Sequence, residues 1–306
     1  MTQKILKYCI LTLLVISVNI NGQGITRTVS TGAENSAMSN SNISLAKNVS
    51  GMYLNPGSLA YLKNYSIFLN HSDFRHLQGM DENVSFPIFS NGQQTAALGL
   101  MLYHFGYVGV ADTPKYGSQQ LLEVGYNAAF ATTIIPTVSA GILATIRNAK
   151  SGDQKTWAAS YSIGINYVPS EDYSYGLVVR GIGADIQYLQ KDSLDVLTLE
   201  RNNMLACLEI GATMTFPTAS SFRRKFFILS LSNEKIFSIR GLLYKIGVEV
   251  SPYEFLKLRM GYVAGTGINE PSFGLGFALG SVSINYSVYT HKSSTIYDQF
   301  SLSIGL

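Results

Sequence analysis

The sequence predicts a transmembrane antiparallel β-barrel of about fourteen strands, with an N-terminal plug or cap segment. Three observations carry this. Apolar and small polar residues alternate with period two over segment after segment, which sets one kind of residue on each face of a strand. Only 13% of residues are charged, about half the usual share, yet mean hydropathy is just +0.16 and no apolar run after residue 23 is long enough for a membrane helix. Short and long connections also tend to alternate along the chain, as they do in bacterial barrels.

The chain begins with an export signal, residues 1–23. Lys4 and Lys7 form a basic n-region, Tyr8 to Val18 an apolar stretch too short to span a bilayer, and cleavage is expected near Gly22 or Gln23. Once Lys4 and Lys7 leave, the 22 basic residues fall to 20 against 19 acidic ones, which argues against an electrostatic nucleic-acid binder. Cys207 is then the only cysteine, so no intramolecular disulfide is expected.

The barrel is expected over 64–306. Strands are predicted at 64–72, 81–89, 93–105, 119–133, 137–149, 154–168, 174–189, 203–216, 226–232, 241–251, 256–264, 272–279, 281–290 and 296–306. In the tenth, Tyr244, Ile246, Val248 and Val250 interleave with Lys245, Gly247, Glu249 and Ser251. An even count returns both termini to one side, the periplasm. Inner turns fall near Asn91-Gly92, Ile135-Pro136, Pro169 to Asp172, Pro252 to Phe255 and Gly280, with a longer one from Pro217 to Lys225 that includes Arg223-Arg224-Lys225. Outer loops fall at 73–80, 106–118, 190–202, 233–240, 265–271 and 291–295, with a short turn at Lys150 to Asp153. Tyr103, Tyr126, Tyr167, Tyr188, Tyr262, Tyr289 and Tyr297 lie near strand ends, where interfacial aromatic girdles form. A soluble sandwich would carry more Lys and Glu outward than the Gly, Ser and Asn found here.

Residues 24–63 do not alternate, and they are read as a plug or periplasmic segment. The run Ser44-Leu45-Ala46, Asn48, Ser50-Gly51, Tyr53 and Asn55-Pro56…Leu59-Ala60 resembles the N-terminal signature of the PorV/PorQ barrels of Bacteroidetes type IX secretion, relatives of FadL-type transporters. Gly176 to Gly183, Arg259 to Tyr262 with Gly265 to Gly267, Leu275-Gly276-Phe277 and Ile284 to Ser287 are also similar to that family. The resemblance implies fourteen strands, an N-terminal cap with Asn55, Pro56 and Gly57 as plug motif, outer-membrane localisation, and type IX components or cargo as partners beside the membrane lipid. Departures are Ala37 to Ser41 where a Gly-rich stretch is usual, Gly57 in place of Ala after Asn-Pro, and a final Leu306 in place of Phe.

No enzyme motif is present, and neither a cofactor nor a metal is expected. His71, His76, His104 and His291 are scattered, and no Gly-x-Ser-x-Gly, Walker loop or Cys-x-x-Cys occurs. Gly274, Gly276, Gly181 and Gly183 have the wrong spacing for a dinucleotide and suit close approach of a plug. Glu123, Arg147, Arg180, Glu209, Lys245, Glu249, Lys257 and Arg259 share the phase opposite the apolar set, which assigns them to the lumen. Facing lipid, each would cost about 2–4 kcal/mol near the midplane. They suit binding a passenger or lining a polar path, but pairing with one another or with the plug, simply filling the barrel, is the favoured reading. The resemblance leads to a non-enzymatic secretion barrel. A FadL-like passage for hydrophobic small molecules is the alternative, and a purely adhesive surface barrel ranks last. An apolar tunnel favours transport and a sealed lumen the scaffold, with loop Gln190 to Asn202 as contact surface.

Overall fold

Period-two alternation demands strands, and strands form wherever the sequence carries it. The computed structural model describes residues 32–45, 47–62, 65–74, 79–108, 119–151, 154–183, 186–191, 197–202, 206–216, 226–291 and 295–305. Along the first half of the wall run β1 (Ser66–Phe74), β2 (Gly79–Ser90), β3 (Gln94–Val108), β4 (Gln119–Ile135), β5 (Val138–Ser151), β6 (Gln154–Ser170) and β7 (Tyr173–Gly183). A hairpin, β8 (Ile186–Lys191) and β9 (Leu197–Asn202), interrupts the wall. It resumes with β10 (Cys207–Phe216), β11 (Phe227–Ile236), β12 (Leu243–Tyr253), β13 (Leu256–Gly265), β14 (Ile268–Leu279), β15 (Val282–His291) and β16 (Thr295–Gly305).

Fourteen strands close on themselves, with β7 paired to β10 and β1 to β16. Every neighbour is antiparallel, and Ile67 opposite Ile304 through Asp73 opposite Asp298 seals the first strand to the last, leaving no unpaired edge in the wall. Strand count, order and closure are as the alternation predicts. β1 begins and β16 ends at the same rim, here the terminal rim; the opposite one is the distal rim.

Several boundaries shift: the predicted strand 272–279 begins at Ile268, which reduces the expected loop 265–271 to a tight turn, and 203–216 is strand from Cys207. Two further differences have a clear physical reason. The predicted strand 174–189 stops at Gly183, and 186–202, in part expected to be loop, folds as the two-stranded β8–β9 sheet. Alternation is the same in a barrel wall and in a projecting hairpin, so period alone does not separate them. Gly181 and Gly183 both take positive φ at the break, and β7 carries one more residue than β6 there, a bulge. The predicted strand 226–232 runs on to Ile236, which brings Glu234 into the wall.

The two faces of the wall differ as the phase predicts. On β12, Tyr244 and Ile246 are 40% and 42% exposed, while Lys245 and Glu249 are 4% and 2% exposed. Outside lies a band of Leu, Ile, Val and aromatic residues, the face a barrel turns to lipid. Tyr126, Tyr167 and Tyr262 are on that face, whereas Tyr103 and Tyr297 are buried. Tyr103 follows the inward phase of Ala97, Gly99 and Met101, so its place near a strand end did not determine its side. The signal 1–23, residues 24–31, Arg223 to Lys225 and Leu306 lie outside the described residues.

Candidate functional site

Residues 32–62, Ala46 apart, fill the middle of the barrel, and their sequence explains why they neither extend nor form long helices. Ser, Asn and Gly compete with helix for their own backbone hydrogen bonds. The result is a chain of tight turns: helical turns at Ala33–Ser36 and Gly51–Leu54, and a 3₁₀ segment at Pro56–Tyr61. Nearly every described residue here is buried. The buried Asn48 side chain donates to Glu34 at 2.5 Å, and Asn35 bonds Ser50 and Asn42, tying the two ends of the plug together.

The Asn-Pro-Gly motif anchors the plug to the wall. Asn55 Oδ1 accepts from the Gly57 amide at 3.0 Å, capping a 3₁₀ segment that Pro56 opens without losing a donor. Asn55 Nδ2 donates to the Ile165 carbonyl of β6 at 3.1 Å, and Ser139 of β5 donates to the Gly57 carbonyl at 2.6 Å. A Cβ on Gly57 would lie 2.7 Å from the Gly164 carbonyl oxygen, so glycine is required where the resemblance leads one to expect alanine.

Glycines of the wall receive the plug. Gly141 and Gly164 face each other across β5 and β6, Gly176 and Gly211 across β7 and β10, and Gly247 and Gly261 across β12 and β13. A Cβ on Gly141 would meet the Pro56 carbonyl carbon at 2.5 Å, and one on Gly261 the Met38 carbonyl carbon at 2.5 Å. Each pair removes two side chains side by side and opens a notch one plug backbone deep. Of the glycines expected to admit a plug, Gly274 does so, with its Cβ position 2.5 Å from Ala37, whereas those at Gly183 and Gly276 meet wall atoms; the pairing of glycines across strands was not read from the sequence.

The eight lumen-phase charges fall into three groups. Arg180 reaches Glu209 and, at 2.8 Å, Glu234, while Lys245 bonds the same two carboxylates at 2.9 and 2.7 Å. The other Arg180 terminal nitrogen donates to the Leu54 carbonyl of the plug at 2.8 Å. Glu249 accepts from Arg259 Nε at 2.6 Å and from Lys47 of the plug, and Arg259 also donates to Asn285 at 2.8 Å. Arg147 and Glu123 pair at 3.1 Å on β5 and β4. Lys257 is half-buried beside the Glu249 group and contributes to its field without a close ion pair among the described residues. Sequence reasoning missed Lys47, which sits in the non-alternating segment, and Glu234, which lay beyond the predicted strand end.

Within the plug, burial pulls the Lys47 ammonium below its ordinary value, against the opposing pull of Glu249, and burial pushes the Tyr53 phenol up. Tyr53 bonds Ser85 and Asn83 of β2 at 2.8 and 3.2 Å. Val49, Met52, Leu59 and Ala60 pack with Ala97, Met101, Ala129, Ala131 and Leu143, so the wall from β3 to β5 meets the plug through apolar side chains. No group of three or more metal-ligating side chains gathers among the described residues.

No family model and no curated protein matches this chain. Solved structures do. The toluene transporter TbuX of Ralstonia pickettii superposes with TM-score 0.62 at 13% identity, covering 90% of this chain and 97% of its own. The monoaromatic hydrocarbon channel CymD gives 0.65 at 12%, covering 92% and 99%. A FadL homologue of Pseudomonas aeruginosa gives 0.60 at 11%, covering 89% and 97%. Likeness at these identities is one of fold, and the chain has the FadL-like fourteen-stranded outer-membrane barrel fold.

Proposed function

We propose that this chain is a non-enzymatic outer-membrane channel for hydrophobic small molecules, with both termini on the periplasmic side. The observation that carries the reading is the near end-to-end match, over 90% of this chain and 97% of the other, to a barrel described as a toluene transporter. The apolar sector of the lumen, where Met101 and Tyr103 lie beside the plug, supports it. Labelled toluene uptake tests it, in a Gram-negative host with intact lipopolysaccharide that lacks its own such channel. Expression of the chain should raise the initial rate several-fold; a rate equal to that of the empty-vector host counts against transport.

A second reading keeps the PorV/PorQ resemblance: a component or accessory of type IX secretion that holds cargo or a partner. The feature favouring it is the seating of the plug in wall glycines, since a stoppered barrel suits a scaffold. Co-purification of translocon subunits or of cargo from outer membranes, with no gain in toluene uptake, would favour this reading over transport.

A further inference from the structure

The plug occupies most of the notches left by lumen glycines, and Gly125 of β4 is different. A Cβ on Gly99, Gly141, Gly176, Gly247 or Gly261 would meet plug atoms at 3.0 Å or less. On Gly125 its nearest neighbours among the described residues are the Met101 Cβ at 3.4 Å and the Asn127 Nδ2 and Met101 sulfur at 3.9 Å, all wall atoms in ordinary contact. Gly125 pairs with Met101 of β3 and Arg147 of β5, and Gly99, against which Tyr53 packs, pairs with Asn127. The notch therefore lies one step distal to the level where Tyr53 enters the wall.

Asn127 beside this notch and Arg147 on the neighbouring strand each carry a donor with no hydrogen-bond partner among the described residues. Asn127 is 4% exposed; its Oδ1 accepts from Thr145 at 2.7 Å, and its Nδ2 has no hydrogen-bond partner among the described residues. Arg147 spends Nη1 on Glu123, lies over the Tyr103 ring at 5.9 Å, and its Nε is likewise without a partner. A buried donor left unsatisfied is costly, and an incoming acceptor would relieve that cost. Beside the donors lie the Met101 side chain and the Tyr103 ring, with the Glu123 carboxylate on the far side of Arg147.

We propose that the Gly125 notch is a subsite for the acceptor oxygen of a neutral, apolar small molecule such as an aromatic ketone, with Asn127 Nδ2 and Arg147 Nε as donors. This rests on the transport reading and narrows its substrate class. Neutrality follows from charge: Arg147 already faces Glu123, and Asp81 lies buried in the same field around Tyr103. A carboxylate ligand would add another negative charge to that wall.

The test is competition against labelled toluene uptake by acetophenone and by ethylbenzene, which has the same shape without the oxygen. The ratio of the two half-inhibitory concentrations, compared between wild type and variant, cancels differences in membrane partitioning. Asn127→Asp keeps the size and the Thr145 bond and replaces the donor by an acceptor; it should reduce the preference for acetophenone about fivefold. Gly125→Ala, whose methyl fits at 3.4 Å, keeps the barrel folded and should also reduce the preference, which carries the test if Asn127→Asp fails to insert. A preference unchanged in both variants, or no preference in the wild type, overturns the subsite and leaves transport standing. Absence of any toluene uptake through the chain removes both.

Discussion

The plug meets the wall in two different ways on opposite sides of the lumen. From β3 to β5 the contact is mainly apolar, with Met52, Leu59 and Ala60 against Ala97, Ala129, Ala131 and Leu143, and the Ser139 bond to the Gly57 carbonyl at its edge. From β10 to β16 it is made of hydroxyls, amides and charges: Ser44 to Thr213 at 2.9 Å, Ser39 to Ser272 at 2.9 Å, the Ala33 amide to Ser301 at 3.2 Å, and Lys47 to Glu249. The apolar side is held by volume and tolerates small rotations, whereas the polar side is held by direction and fixes the register of the plug. A hydrogen-bonded zipper needs each partner in place, because the alternative for every buried group is to go unpaired.

The largest effect expected from breaking this contrast is on the ionic side. Glu209→Ala leaves Arg180 and Lys245 sharing the Glu234 carboxylate in a buried setting, and losing one partner of a buried pair costs about 3–5 kcal/mol. Urea unfolding in lipid vesicles, followed by heat-modifiable gel migration, should show a midpoint well below wild type. On the apolar side Leu59→Ala removes a fully buried side chain, with an expected loss near the middle of the about 2–5 kcal/mol range for such cavities.

A smaller pair of substitutions sharpens the role of the seats. Gly141→Ala drives a methyl into Pro56 and should cost about 1–3 kcal/mol by overpacking. In the same assay Gly125→Ala should be close to neutral, because its methyl meets nothing nearer than 3.4 Å among the described residues. Equal losses at the two glycines would mean that the plug does not rest in the wall as described.

How much of this was legible in the sequence follows from what alternation encodes. Period two fixes which residues share a face, so the fourteen wall strands and the inward phase of Lys245, Glu249 and Arg259 could be read directly. It does not fix what lies opposite a face. The β8–β9 hairpin alternates like its neighbours yet stands apart from the wall, and the pairing of Arg180 with Glu209 and Glu234 needs the barrel curvature to be known. The plug carries no period at all: the Asn55 bond to the Ile165 carbonyl and the Lys47 contact with Glu249 join residues more than a hundred positions apart. The type IX expectation came from short motifs at both ends and in the middle of the chain, which do not separate barrels that share one fold; the solved structures it superposes on share that fold.

The most direct test of a plug seated inside the barrel is a cross-link on its polar side. Ser39 and Ser272 bring their hydroxyl oxygens to 2.9 Å, so Ser39→Cys with Ser272→Cys, in a Cys207→Ser background, places two thiols within bonding reach. Mild oxidation of the protein in outer membranes should form the disulfide nearly completely, visible as a shift in gel mobility that reductant reverses. Thiols that stay reduced and react freely with a soluble alkylating reagent would contradict the seated plug.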